Sequence, residues 1–423
     1  MTKTQLMTVH SIANARAFGE TMNYIKQIVG LCIVLLATAA SASSNFDHFQ
    51  LRVSLYPWVP DAESLFRWIE TDFESKHPDI DLVVRPLKKF YEWEPEYIAD
   101  LSYEVDKTVS SLTKEGSDAQ HLIEIDTIIL GTLVEHNAVL EFKISGPQFL
   151  PVAAEAVTFN NRVYGVPHWT CGYFVISEDK SIRAANNLDA LLETLRALGT
   201  EIPDIVGDLD GSWDSVMVYL DAYRDTYPSR NLLNVVSQQK LDPEVFKSFQ
   251  KLGQACSSGE QNYCGSDEVE RFATGNADAL IGYSERLNPI LAHAERKVAN
   301  LHIASVPLGA GDNPTLFTDA LVMSPKCKSI RCKNAATTFA SYYLSDEVFE
   351  VVLMGLDVAP KAQPRYLLPS TQTAFEFGKV GRDQLYQELK EEIVGAKPYP
   401  NQGIPQARET GAIRSEVKRA LGL

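Results

Sequence analysis

This chain of 423 residues lacks every common metal-site pattern: it has no CxxC, no HExxH and no cluster of cysteine with histidine. A structural zinc site is therefore not expected. Positive charge is also short, with 39 Lys and Arg against 55 Asp and Glu and a formal charge of −16. That balance argues against a nucleic-acid partner and favours cationic or neutral ligands. No apolar segment after residue 45 is long enough to span a bilayer, which leaves the body of the chain without a membrane helix. No internal repeat and no compositionally biased run occurs, so a solenoid or a long disordered linker is not expected. What is present is an ordinary globular composition, 45% hydrophobic and 22% charged. The chain is too long for one hydrophobic core, and two lobes are the default.

Cysteine is scarce, with six in all. One of them, Cys32, lies in an N-terminal stretch that reads as a leader. Lys26 precedes the apolar residues 28–40, and Ala40-Ser41-Ala42 gives the small-x-small pattern of a cleavage site. A signal peptide over residues 1–42 and a secreted or periplasmic mature chain are the expectation, with Met22 offering a shorter leader. Of the remaining cysteines, Cys256 and Cys264 flank a polar loop and Cys327 and Cys332 a basic one. Each pair can staple a short loop in an oxidising compartment, and Cys171 is left over.

The patterning alternates strand with helix. Residues 51–56 and 80–85 alternate as strands around a helix with Leu65, Trp68, Ile69 and Phe73 at helical spacing, and Asp61 is placed to cap it. Residues 91–116 carry helical spacing at Ile98, Leu101 and Val105; residues 122–126 read as a strand and 128–134 as a helix. Further on, residues 188–198, 213–223, 243–256, 269–274, 333–344 and 346–354 read as helices, and 279–283, 302–307 and 319–324 as strands. The tail from Gln372 reads as mainly helical. Such alternation predicts an α/β fold with mainly parallel sheets flanked by helices. Bends near residues 171 and 315 divide it into a first lobe of 46–172 plus 315–346 and a second of 173–314 plus 347–423.

The first of those bends lies in the stretch 163–174, VYGVPHWTCGYF. It sets Cys171 among Trp169, Tyr173 and Phe174 and beside Gly172. A thiol among aromatic faces at a bend is either a packing residue or a nucleophile in a pocket that stacks a flat ligand. His168, three residues away, would point to the opposite face of a strand and reads as a structural histidine. Asp208-Leu209-Asp210-Gly211 opens like a calcium loop, but no glutamate follows at the required spacing, and it reads as a turn.

The two-lobed pattern resembles the type II periplasmic solute-binding proteins at Lys76-His77-Pro78-Asp79-Ile80, at Tyr164-Gly165-Val166-Pro167 and at Phe272-Ala273-Thr274-Gly275. A narrower resemblance is to thiaminase I (thiamine pyridinylase). It is carried by Tyr164-Gly165-Val166-Pro167 followed by Cys171, and by Ile281-Gly282-Tyr283-Ser284-Glu285. It is carried also by Leu55-Tyr56-Pro57-Trp58-Val59-Pro60-Asp61, Ile125-Asp126-Thr127-Ile128, Leu316-Phe317-Thr318-Asp319 and Arg365-Tyr366-Leu367-Leu368-Pro369. Phe317 departs from the family, which can carry a tyrosine there.

The resemblance implies a ligand cleft between the lobes, with Cys171 as nucleophile and Glu285 as its general base. A carboxylate cannot favour a thiolate electrostatically; it can only take the proton. Asp126 and Asp319 would anchor an aminopyrimidine, and Tyr56, Trp58 and Tyr283 would supply aromatic faces for a flat heterocycle and a thiazolium. Beside these stand blander readings: a structural thiol, a surface glutamate, an aspartate capping a helix at 126 and a core tryptophan at 58. The implied activity replaces the thiazole of thiamine with an amine, pyridine or thiol acceptor. It needs no metal or organic cofactor and no nucleic acid, and a monomer suffices. The alternative is a solute-binding protein that delivers thiamine or another small molecule to a membrane transporter.

Overall fold

The computed structural model describes residues 48–85, 103–116, 119–211, 213–265, 267–293, 300–360 and 362–423. The leader expected over 1–42 and the helical spacing at Ile98 and Leu101 lie outside the described residues. Residues Phe49–Leu423 form one compact unit, to which everything below refers. No described helix is long and apolar enough to cross a membrane.

The chain opens as β1 (Phe49–Ser54), α1 (Ala62–Lys76), β2 (Ile80–Arg85), α2 (Val105–Thr113) and β3 (Leu122–Asp126). It continues through β4 (Gly165–Cys171), β5 (Tyr173–Ser177), α3 (Leu188–Arg196), β6 (Ile205–Gly207), α4 (Asp214–Thr226) and α5 (Pro243–Ala255). Then come β7 (Ala279–Tyr283), β8 (His302–Ser305), β9 (Thr315–Met323), α6 (Ile330–Tyr343), α7 (Asp346–Leu353) and β10 (Leu368–Pro369). The tail is α8 (Gln384–Glu392), β11 (Lys397–Pro398), α9 (Ile404–Thr410) and α10 (Ala412–Leu421).

Two sheets result. The larger runs β10–β4–β9–β3–β1–β2 with β11 beside β9, and the smaller runs β8–β5–β7–β6. They are mixed rather than mainly parallel. β1 pairs parallel with β2 and β3, but β9 runs antiparallel to both β3 and β4, and β5 antiparallel to both β7 and β8. The cause is that β4–β5 and β9 carry the chain straight from one sheet to the other. The chain leaves the larger sheet through β4 and re-enters it through β9, so the two strands run in opposite directions and pair antiparallel. Residues 347–423, expected with the second lobe, divide between the sheets. β10 pairs with β4 in the larger sheet, whereas Glu388 and Glu392 of α8 accept the Ile303 and Ser305 N–H groups of β8, each at 3.0 Å.

The crossing point needs a glycine. A Cβ on Gly172 would collide with the Leu316 side chain and sit 3.3 Å from the Thr315 carbonyl, so only Gly lets the two crossing strands pass this closely. Alternation along the strands divides the core by sheet face. Leu321 and Met323 face one apolar cluster together with Phe174, Ile176 and Leu280, while Ala320 and Val322 face the other with Tyr173, Val175 and Ile281. α1 buries Leu65, Phe66, Ile69 and Phe73, and Phe73 meets Phe339 of α6 edge-on at 5.5 Å. Asp61 does not cap α1 as expected. Its backbone is left-handed (φ 57°) and its side chain makes no capping bond; its carbonyl instead accepts the Leu65 N–H at 3.1 Å. Two disulfides, Cys256–Cys264 and Cys327–Cys332, join the expected pairs, and Cys171 is free.

Candidate active site

A cleft of about 700 Å³ opens where the ends of the two sheets meet. All seven residues singled out in the sequence line it: Tyr56 and Trp58 after β1, Asp126 at the end of β3, Cys171 at the end of β4, Tyr283 and Glu285 at the end of β7, and Asp319 on β9. Their convergence follows from strand ends. β1, β3, β4 and β7 stop at the same seam, so their last side chains, or the loops after them, face the gap. Asp319 joins them from the middle of β9 as the register partner of Asp126.

Cys171 Sγ lies 3.7 and 3.6 Å from the two carboxylate oxygens of Glu285, which is 114 residues away in the chain. Burial pushes the thiol well above its ordinary value, and the nearby carboxylates of Glu285 and Asp319 push in the same direction. Burial also raises Glu285. The resting pair is thus a neutral thiol beside a carboxylate of raised proton affinity. Such a pair passes its proton as the sulfur attacks, rather than storing a thiolate. Asp126 and Asp319 are register partners across β3 and β9, and Phe317, two residues before Asp319, is the partner of Cys171. Asp126 caps the turn after β3, its Oδ1 accepting the Ile128 N–H at 3.1 Å, and it also lines the cleft.

Trp58 is 56% exposed at the mouth, so the reading as a core tryptophan fails. Tyr56 receives a hydrogen bond from the Tyr103 hydroxyl at 2.9 Å, and the Tyr283 hydroxyl donates to Asp214 Oδ1 at 2.9 Å. His168 is structural, as its strand position predicts. It is fully buried, with Nδ1 2.7 Å from Glu124 Oε1, and packs on Tyr343 with ring centroids 3.6 Å apart. Burial lowers its proton affinity, so a neutral ring donating to Glu124 fits the geometry. The other oxygen of Glu124 accepts the Tyr56 N–H at 2.8 Å, tying this buried unit to the start of the cleft-lining loop. At Asp208-Leu209-Asp210-Gly211, Asp210 pairs with Lys418 at 2.8 Å, and no metal-holding group of His, Cys, Asp or Glu occurs among the described residues.

Sequence reasoning missed Glu124, Tyr103, Trp213, Asp214, Arg286 and Arg408. Glu124 alone left a signal, as a carboxylate set between apolar neighbours in the middle of the buried strand Leu122–Asp126. The others come from helix starts and from α9. Arg408 stacks on Trp213 at 4.0 Å and reaches Glu104 at 3.5 Å, while Arg286 pairs with Glu268 at 3.3 Å. Carboxylates therefore outnumber free cations along the walls, and the cleft suits a cationic or hydrogen-bond-donating ligand.

Solved structures with the same architecture divide between enzymes and receptors. Clostridium botulinum thiaminase I in complex with thiamin superposes with a TM-score of 0.68 at 18% identity, covering 88% of this chain and 100% of that one. Thiaminase I from Bacillus thiaminolyticus gives 0.66 at 20% identity, with 88% and 99% covered. The GacH receptor of Streptomyces glaucescens, solved unliganded and with acarbose, gives 0.63 at 15% identity, with 88% and 96% covered. The chain has the type II periplasmic-binding-protein fold. At these identities the likeness establishes that fold alone. No protein-family model matches the chain, and no curated protein sequence matches it. Within this fold the cleft between the two sheets is where a ligand would lie.

Proposed function

We propose that the protein is an exported, thiamine-degrading transferase of the thiaminase I type. The observation that carries this reading is the Cys171–Glu285 pair, thiol to carboxylate at 3.6 Å, on the wall of an aromatic, acidic cleft. Glu285 takes the thiol proton as Sγ adds to the pyrimidine ring of thiamine. The electron pair pushed into the ring then expels the thiazole from the bridging methylene as a neutral molecule. An acceptor next attacks that methylene, the ring regains its aromaticity by expelling the Cys171 sulfur, and Glu285 returns the proton. Asp126 and Asp319 hold the exocyclic amino group and a ring nitrogen, and Tyr56, Trp58 and Tyr283 stack on the flat rings. The walls exclude water, which would otherwise compete as the acceptor.

A solute-binding protein for thiamine is the second reading, supported by the equally extensive likeness to the GacH receptor. The thiol–carboxylate pair speaks against it, because a pure binder has no use for a nucleophile and its base in the cleft. Incubating the purified protein with thiamine and aniline or pyridine separates the two. Release of free thiazole is expected. Thiamine binding without release, whatever the acceptor, would leave the binding protein as the better account.

A further inference from the structure

The cleft contains a second hydrogen-bonded cluster that the chemistry at Cys171 leaves unused. Asp214 opens α4, and its Oδ1 lies 2.9 Å from the Tyr173 hydroxyl and 2.9 Å from the Tyr283 hydroxyl. The two hydroxyl oxygens are themselves 2.7 Å apart. Asp214 and Tyr283 line the cleft with Cys171 and Glu285, and the Tyr173 ring packs against Tyr283 at 4.7 Å. A Cβ on Gly211 would collide with the Asp214 carboxylate, so the bend before α4 leaves room for that group.

The trio is one proton short. Three oxygens within hydrogen-bond distance of one another make three edges, and each edge takes one proton. With Asp214 ionised, the two phenols supply only two. A third proton would close the ring of bonds with no oxygen moving. Burial holds both phenols well above their ordinary value, so they stay protonated.

The proposed reaction needs such an acceptor. Glu285 takes the Cys171 proton in the first half and gives it back in the second, so that pair ends each cycle as it began. When the acceptor is an amine or a thiol, however, cationic thiamine and the acceptor yield two neutral products and one proton. That proton comes from the acceptor's own N–H or S–H bond, which breaks as the new bond to the methylene forms. We propose that Asp214, with Tyr283 and Tyr173, takes this proton and passes it to solvent. The assignment rests on the thiamine-transferase reading and extends it to acceptor choice: the trio serves acceptors that carry a proton and is idle for pyridine, whose product keeps the charge.

The test compares turnover with aniline and with pyridine, thiamine held constant. In Asp214→Asn, which still accepts hydrogen bonds but cannot take a proton, the aniline-to-pyridine ratio of kcat is expected to fall about 10²-fold. Tyr173→Phe removes one hydroxyl from behind the cleft wall and is expected to lower the same ratio by about tenfold. A merely structural role would reduce both acceptors alike, so an unchanged ratio overturns the assignment. Where Asp214→Asn does not fold, Tyr173→Phe decides on the same ratio. A wild type that releases no thiazole with either acceptor overturns the transferase reading and this assignment with it. Thiazole release accompanied by an unchanged ratio overturns this assignment alone.

Discussion

Asp126 and Asp319 face one another across the antiparallel β3–β9 ladder, two buried carboxyl groups as direct register partners. Burial pushes Asp126 up from 3.8 to about 7. Asp319 is held well above the ordinary range by its own burial and then by the charge of Asp126. Two carboxylates this close do not both ionise readily, so near neutral pH the pair retains a proton. The same floor can then accept from an amino group and donate to, or hold, a ring nitrogen.

The pair gives stability a predictable pH dependence. A carboxyl whose folded-state pKa is raised is more protonated in the native than in the unfolded chain. Its contribution is complete below about pH 4 and is lost as pH rises through about 7. Asp126→Asn removes one such group while keeping an oxygen for the Ile128 N–H. The melting temperature of the wild type should therefore fall more steeply from pH 4 to pH 8 than that of the variant. The gap between the two curves should grow by roughly a few °C over that range. Parallel curves would show that Asp126 titrates as an ordinary surface carboxyl.

Glu124 offers a test of how the Tyr56 loop is held. Its two oxygens, fully buried, meet His168 Nδ1 at 2.7 Å and the Tyr56 N–H at 2.8 Å. Glu124→Ala takes that carboxylate from both partners inside a dry core and should cost about 3 kcal/mol or more. Glu124→Gln keeps an acceptor for one partner and should cost less. Urea unfolding measures both variants, and equal, small losses would mean that water or a rearranged loop takes over the role.

These strengths and weaknesses track what a sequence can encode. Alternation and helical spacing are local, so β1, β2, β3, β7 and the helices from α1 to α7 were legible from their own residues. Strand direction is not local: nothing in Thr315–Met323 says that β9 runs antiparallel to its neighbours, because that depends on where the crossing strands re-enter the sheet. The cap expected at Asp61 failed because a tertiary turn imposed a left-handed backbone there. Cys171 and Glu285 were found through short motifs that resemble a known family, and no local pattern links residues 114 apart. Asp214 and Arg408 carried no signal at all. They begin or sit on amphipathic helices, where a charged residue is ordinary, and only folding brings them to the cleft.

Base and anchor should separate kinetically. Glu285→Gln retains size and hydrogen bonding but cannot take the thiol proton. Turnover of thiamine should fall by roughly 10²–10⁴-fold with binding largely preserved. Asp319→Asn should weaken binding as well as rate, since it removes one member of the proton-sharing carboxyl pair from the cleft floor. Isothermal titration with thiamine beside steady-state kinetics resolves the two. Near-normal turnover in Glu285→Gln would move the base assignment to another carboxylate, with Asp126 next to be tested.

The most direct consequence of a nucleophilic Cys171 is a covalent adduct. Cys256–Cys264 and Cys327–Cys332 are bridged, so Cys171 is the single thiol left free among the described residues. Non-reducing peptide mapping of the exported chain, without the leader that carries Cys32, should return those two disulfides and one titratable thiol. A pyrimidine bearing a leaving group on its ring traps the attack, because the displaced group cannot return. The intact protein should gain the mass of one pyrimidine, and digestion should place it on the peptide containing His168-Trp169-Thr170-Cys171. Cys171→Ser should lose both the adduct and turnover, since a neutral hydroxyl beside Glu285 is far harder to activate than a thiol. Thiamine binding should survive in that variant, because the stacking aromatics and both aspartates are untouched. Labelling elsewhere, or full turnover in Cys171→Ser, would show that the thiol at the cleft wall is a packing residue after all.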